Sequence, residues 1–177
     1  MFRDWENYYL LIGSAAGALI GLMFVVTTLT AGIDASRVSR GAKVYITPIV
    51  FHFSVVLIVS AISAVPEIPL PAVGVLLASC AAIGIVYSAA TTARLSRTRW
   101  EDPPARSDKW FYGILPTIAY LGLAGAAGAV WLASRIASYA VGATMLVLLL
   151  IGIRNAWDLA TSIVQSPANR RGAKKKI

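Results

Sequence analysis

Five stretches of this chain carry no charged residue: Asn7–Ile33, Tyr45–Pro66, Ile68–Ala93, Trp110–Ser134 and Ile136–Ile153. An α-helix needs about 20 apolar residues to cross a hydrocarbon core of roughly 30 Å. Four of the stretches exceed that length and the fifth meets it at its lower edge. Lipid offers no water to the backbone, so each stretch must satisfy its own N–H and C=O groups as a helix. The expectation is an all-α, polytopic membrane helix bundle with five transmembrane helices. Residues 1–165 form a single transmembrane domain and 166–177 a polybasic tail. A soluble core of five buried helices is the competing reading, and the length of the runs argues against it. Composition agrees: the chain is 58% hydrophobic and only 14% charged, against about 45–50% and 25% in soluble domains.

The segment ahead of the first run, "MFRDWEN", sets Arg3 against Asp4 and Glu6. It lacks the basic start of a signal peptide, and the run exceeds the ~7–15 residues of a signal h-region. We therefore read it as a retained span. The lone cysteine, Cys80, falls mid-span and cannot form an intrachain disulfide. It reads as packing.

Orientation follows the lysine and arginine content of short connections. The first connection holds Arg37, Arg40 and Lys43, and the third holds Arg94, Arg97, Arg99, Arg106 and Lys109. Arg154, Arg170, Arg171, Lys174, Lys175 and Lys176 follow the last run. The other side has only Arg3 and Arg135. The N-terminus is expected outside and the C-terminus in the cytoplasm. The net charge of +8 thus follows topology and does not mark a nucleic-acid surface. Tyr8, Tyr9, Trp131 and Tyr139 fall at the outer boundary and Tyr45, Trp110 and Trp157 at the inner one, as amphipathic rings do at headgroup level.

Gly13, Gly17 and Gly21 recur every four residues in the first span. Glycine costs a helix about 1 kcal/mol relative to alanine in water. In lipid, small residues let helix backbones approach. Gly122, Gly125 and Gly128 form a second set in the fourth span, and Gly74 and Gly84 contribute in the third. The pattern predicts close helix packing, either inside one bundle or between copies in a homo-oligomer.

His52, the only histidine, lies about two turns into the second span beyond Pro48. Ionisable groups within a membrane are costly and mark functional sites by default. Thr27 and Thr28 of the antiparallel first span reach a similar depth, so His52 with Thr27 or Thr28 forms the candidate polar cluster or pore lining. A plain interhelical hydrogen bond is the simpler alternative. No second histidine, CxxC or intramembrane carboxylate pair accompanies it, so no metal or other cofactor is expected.

The last run continues as "IRNAWDLATSIVQ". Arg154, Asp158, Thr161 and Gln165 share one helical face, and Asn155 borders it. Arg154 and Asp158 are spaced to pair at i,i+4. This juxtamembrane segment reads as a solvated helix end or as a docking surface. The tail charges Arg170, Arg171, Lys174, Lys175 and Lys176 suit anionic lipid headgroups, each contributing about 1 kcal/mol near such a leaflet.

The stretches "WENYYLLIGSAAGALIGLMFVVTTL" and "GIRNAWDLATSIV" resemble a group of small bacterial multi-pass membrane proteins. The resemblance implies a bacterial inner-membrane location and brings no catalytic residue with it. No phosphate loop, nucleophile elbow or zincin helix is present, and the chain is read as a non-enzyme. Two functions remain: a small oligomeric channel or transport-related protein lined near His52, or a structural or accessory subunit binding another membrane protein or anionic lipid.

Overall fold

The computed structural model describes residues 2–30, 35–97 and 106–165. A 3-10 turn (Arg3–Trp5) leads into α1 (Glu6–Thr30), followed by α2 (Ala35–Ala64) and α3 (Leu70–Arg97). The short α4 (Arg106–Lys109) runs through a π-helical turn (Trp110–Ile114) into α5 (Leu115–Trp131), and α6 (Ile136–Gln165) closes the bundle. Five helical stretches are long and apolar enough to span a membrane: Arg3–Thr28, Tyr45–Ala64, Leu70–Ser96, Ser107–Trp131 and Ile136–Thr161. They match the five charge-free runs, because continuous apolarity at this length leaves the backbone no other way to satisfy itself. The tail charges Arg170, Arg171, Lys174, Lys175 and Lys176 lie outside the described residues.

The second, fourth and fifth spans are the most enclosed, and the first and third flank them. α1 packs on α2, α3 on α5, and both α2 and α5 on α6. Phe53, Val56 and Val59 of α2 meet Leu77 of α3, Tyr120 and Leu123 of α5, and Met145 and Leu148 of α6 in a fully buried core. Phe24, Ile83, Val86, Ile118 and Leu121 point outward, as apolar side chains do when the solvent is hydrocarbon.

Both tight connections turn on a non-glycine residue with positive φ, Glu67 (57°) and Ala133 (50°). At the end of α5, Ala133 N–H donates to Val130 O (2.9 Å) and Ser134 N–H to Ala129 O (3.0 Å). That is a Schellman closure with alanine in the place usually held by glycine.

The tyrosines assigned to the outer boundary do more than face headgroups. Tyr9 is fully buried; its hydroxyl donates to Ser138 O and that of Tyr8 to Gly142 O, both at 2.9 Å. Trp5 meets Tyr139 edge-on at 4.6 Å. These contacts fasten the start of α1 to the start of α6.

The glycine stripes divide. A Cβ on Gly13 would meet Ser60 Cβ at 3.0 Å, and one on Gly122 would meet Thr144 Oγ1 at 3.4 Å. A Cβ on Gly17, Gly21, Gly125 or Gly128 would meet nothing within 4 Å. The expectation of close packing along whole stripes therefore fails inside the protomer at those four positions. Residues spaced by four drift about 40° per step around a helix of 3.6 residues per turn, so the stripe that touches α2 at Gly13 has rotated off it by Gly21. The third-span glycines do make the expected close approaches: a Cβ would overlap the Trp131 ring at Gly74 and the Tyr120 ring at Gly84. Two glycines outside the expected set are as tight, with a Cβ overlapping Thr92 at Gly113 and the Phe53 ring at Gly152.

Candidate functional site

His52 stands on α2 with no exposed surface. Its Nδ1 and the hydroxyl of Tyr120 on α5 lie 2.9 Å apart, one hydrogen bond whichever ring nitrogen carries the proton. Phe51 stacks on Tyr87 of α3 at 4.0 Å, and Tyr87 turns its edge to His52 at 6.4 Å. Three spans thus wall the imidazole in with aromatic rings. Nε2 has no partner.

The expected cluster of His52 with Thr27 and Thr28 does not form. Thr27 Oγ1 donates to Met23 O at 2.7 Å and Thr28 Oγ1 to Phe24 O at 2.9 Å. Both threonines are exposed. A hydroxyl facing lipid finds its nearest acceptor one turn back on its own helix, and α1 turns Ile12, Ala16 and Met23 inward instead. Sequence reasoning missed Tyr120. Its only signal was a tyrosine inside the apolar part of "LPTIAYLGLAG", away from either boundary.

Tyr120→Phe retains the ring and removes the bond. The expected loss is about 0.6–2 kcal/mol, read by denaturant unfolding in detergent micelles. Unchanged stability would show that the bond contributes nothing.

A second polar junction ties the fourth span to the fifth, and Asn155 is its centre. In the π turn, Leu115 N–H bonds back to Trp110 O, five residues away. The next bond in that register would run from residue 116 to Phe111 O. Residue 116 is proline, which has no N–H. Asn155 Nδ2 on α6 supplies the missing donor to Phe111 O at 2.9 Å. In return the Tyr112 hydroxyl donates to Asn155 O at 3.0 Å. Asn155 has no exposed surface.

Arg154 does not use the i,i+4 carboxylate. Its Nη1 donates to Asn155 Oδ1 at 3.3 Å, and its Cζ sits 3.5 Å from the Phe111 ring centroid, a cation–π placement. Asp158 is exposed. Tyr45 of α2 meets Tyr112 edge-on at 5.0 Å, and its hydroxyl reaches Asp108 at 3.5 Å. The residues expected at a solvated helix end therefore include one buried asparagine that repairs a neighbouring helix. π turns inside α-helices frequently occur at functional sites.

No family model, curated protein or solved structure matches this chain.

Proposed function

We propose that this protein works by lateral association in the membrane, as a structural or accessory subunit that binds another membrane protein or a second copy of itself. The observation that carries this reading is the open small-residue face of α1. Ser14, Ala18 and Gly21 are exposed, Gly17 is half-buried, and neither glycine has an atom within 4 Å of the position a Cβ would take. In lipid, such a face lets a second helix approach closely. The enclosed His52 supports the same reading over a pore through the protomer, since conduction along the imidazole would need water beside it.

The one-sided lysine and arginine distribution supports an outside N-terminus and a cytoplasmic C-terminus in a bacterial inner membrane. The basic tail would then lie against the anionic inner leaflet.

Gly17→Leu tests the proposal. A Cβ at this position meets nothing within 4 Å in the bundle, so unfolding of the isolated protomer should hold within about 0.5 kcal/mol. Assembly size on native gels or by light scattering in mild detergent, or co-purification with the membrane partner, should fall. A variant that keeps its assembly would show that this face meets only lipid.

A further inference from the structure

α4, the π turn and α5 run without a break from Arg106 to Trp131, and a π turn holds one residue more than an α-helical turn. Two registers of that turn make equal use of the backbone. In the observed one, Leu115 N–H bonds to Trp110 O, and Phe111 O is the carbonyl that Pro116 has no N–H to serve. In a wholly α register, Leu115 N–H would bond to Phe111 O, four residues back, and the proline would leave Tyr112 O bare instead. Either way the turn keeps the Leu115 bond and forfeits one at Pro116. The choice of register falls to groups from outside the helix.

Those groups come from two neighbouring helices, and all of them favour the π register. Asn155 Nδ2 donates to Phe111 O at 2.9 Å. Arg154 Nη1 donates to Asn155 Oδ1 at 3.3 Å, which orients the amide with its nitrogen toward Phe111, since only the oxygen can accept. Arg154 Cζ also lies 3.5 Å from the centroid of the Phe111 ring. Two consecutive residues of α6 thus hold Phe111 by its backbone and by its side chain. The Tyr112 hydroxyl donates to Asn155 O at 3.0 Å, and the Tyr45 hydroxyl of α2 reaches Asp108 on α4 at 3.5 Å. In the α register the residues ahead of the turn rotate by about 100° and advance by about 1.5 Å. That movement withdraws Phe111 from Arg154, Tyr112 from Asn155 O and Asp108 from Tyr45.

We propose that the start of the fourth span is a two-position register switch, held in the π register by Asn155 with Arg154 orienting its amide, and that releasing Asn155 turns α4 into the α register. The moving part is α4 with the connection that leads to it from α3. α5 and its bond to His52 stay in place.

Double electron–electron resonance reads the switch on the full-length protein in lipid nanodiscs, in a Cys80→Ala background. One spin label replaces Ser107 on α4. The second replaces Thr161 on α6 or, in a separate pair, Ser96 on α3, so a movement perpendicular to one vector shows on the other. On a helix of about 10–12 Å overall diameter, such a turn moves a surface side chain by up to about 8 Å. The wild-type protein should give one dominant distance from each pair. Asn155→Ala should add a second, discrete distance to at least one pair, with the population ratio changed about tenfold, as loss of one buried hydrogen bond implies. Adding Arg154→Ala removes the hold on the Phe111 ring and should enlarge that same second population without moving it.

Single unshifted distances from both pairs in Asn155→Ala overturn the proposal. So does a continuous broadening, which reports unwinding and no second register. Should Asn155→Ala fail to fold, Tyr112→Phe removes only the reciprocal bond and keeps the amide. It should show the second distance at a smaller fraction, and its absence there overturns the switch.

Discussion

Gly84→Ala should destabilise this bundle at the top of the ~1–3 kcal/mol range for overpacking, although it adds a single methyl group to a helix. The new Cβ would overlap the Tyr120 ring, and that ring has nowhere to go. Tyr120 has no exposed surface, and its hydroxyl is bonded to His52. α3 must move away from α5, or the ring must leave His52. Equilibrium unfolding in detergent reads the loss. In a Tyr120→Leu background the alanine should cost far less, since the two positions share one contact and are not additive. An equal cost in both backgrounds would locate the strain elsewhere. Gly125→Ala is the matched control: its Cβ meets nothing within 4 Å, so it should be neutral or gain helix propensity.

Asn155→Ala is expected to cost about 1–3 kcal/mol, the usual penalty for leaving a buried polar group unmatched. Phe111 O would lose the donor that Pro116 cannot provide, while Tyr112 could still donate to the backbone carbonyl of residue 155. Asn155→Asp should do at least as much damage, because a carboxylate cannot donate and would carry charge into a site without exposed surface. Pro116→Ala supplies the second readout. It returns an N–H to the fourth span, so Asn155→Ala should be milder in that background. If Asn155→Ala costs the same in the wild-type chain and in the Pro116→Ala background, the asparagine does not act by replacing the missing donor. The same experiment bears on the lateral-association reading, because loosening the π turn without altering Gly17 should weaken the protomer and leave its contact face unchanged.

Much of the architecture was already legible in the order of the residues. Five charge-free runs of membrane length can only be helices, since hydrocarbon leaves an unpaired peptide group no alternative. The five spans, the two tight hairpins and the absence of strands among the described residues follow from that one constraint. The polarity of His52 also marked it as unusual in advance, because an ionisable group deep in an apolar run is conspicuous in one dimension.

Tertiary structure decided which faces meet. A glycine every four residues describes a groove but carries no information on what lies across it. Gly13 touches Ser60, while Gly17 and Gly21 look outward. Inward and outward faces are nearly equally apolar when the surroundings are lipid, so hydropathy cannot tell core from surface as it does in water. His52 could be matched by depth to Thr27 and Thr28, yet depth is only one coordinate. The helix rotations turn both threonines outward and bring in Tyr120, 68 residues away. Asn155 is the sharpest case. Its role depends on a π register in another span and on the proline that follows Leu115, just past that turn. Sequence alone shows Pro116 and Asn155 separately. Only packing of α6 against the π turn places the amide of one where the N–H of the other is missing.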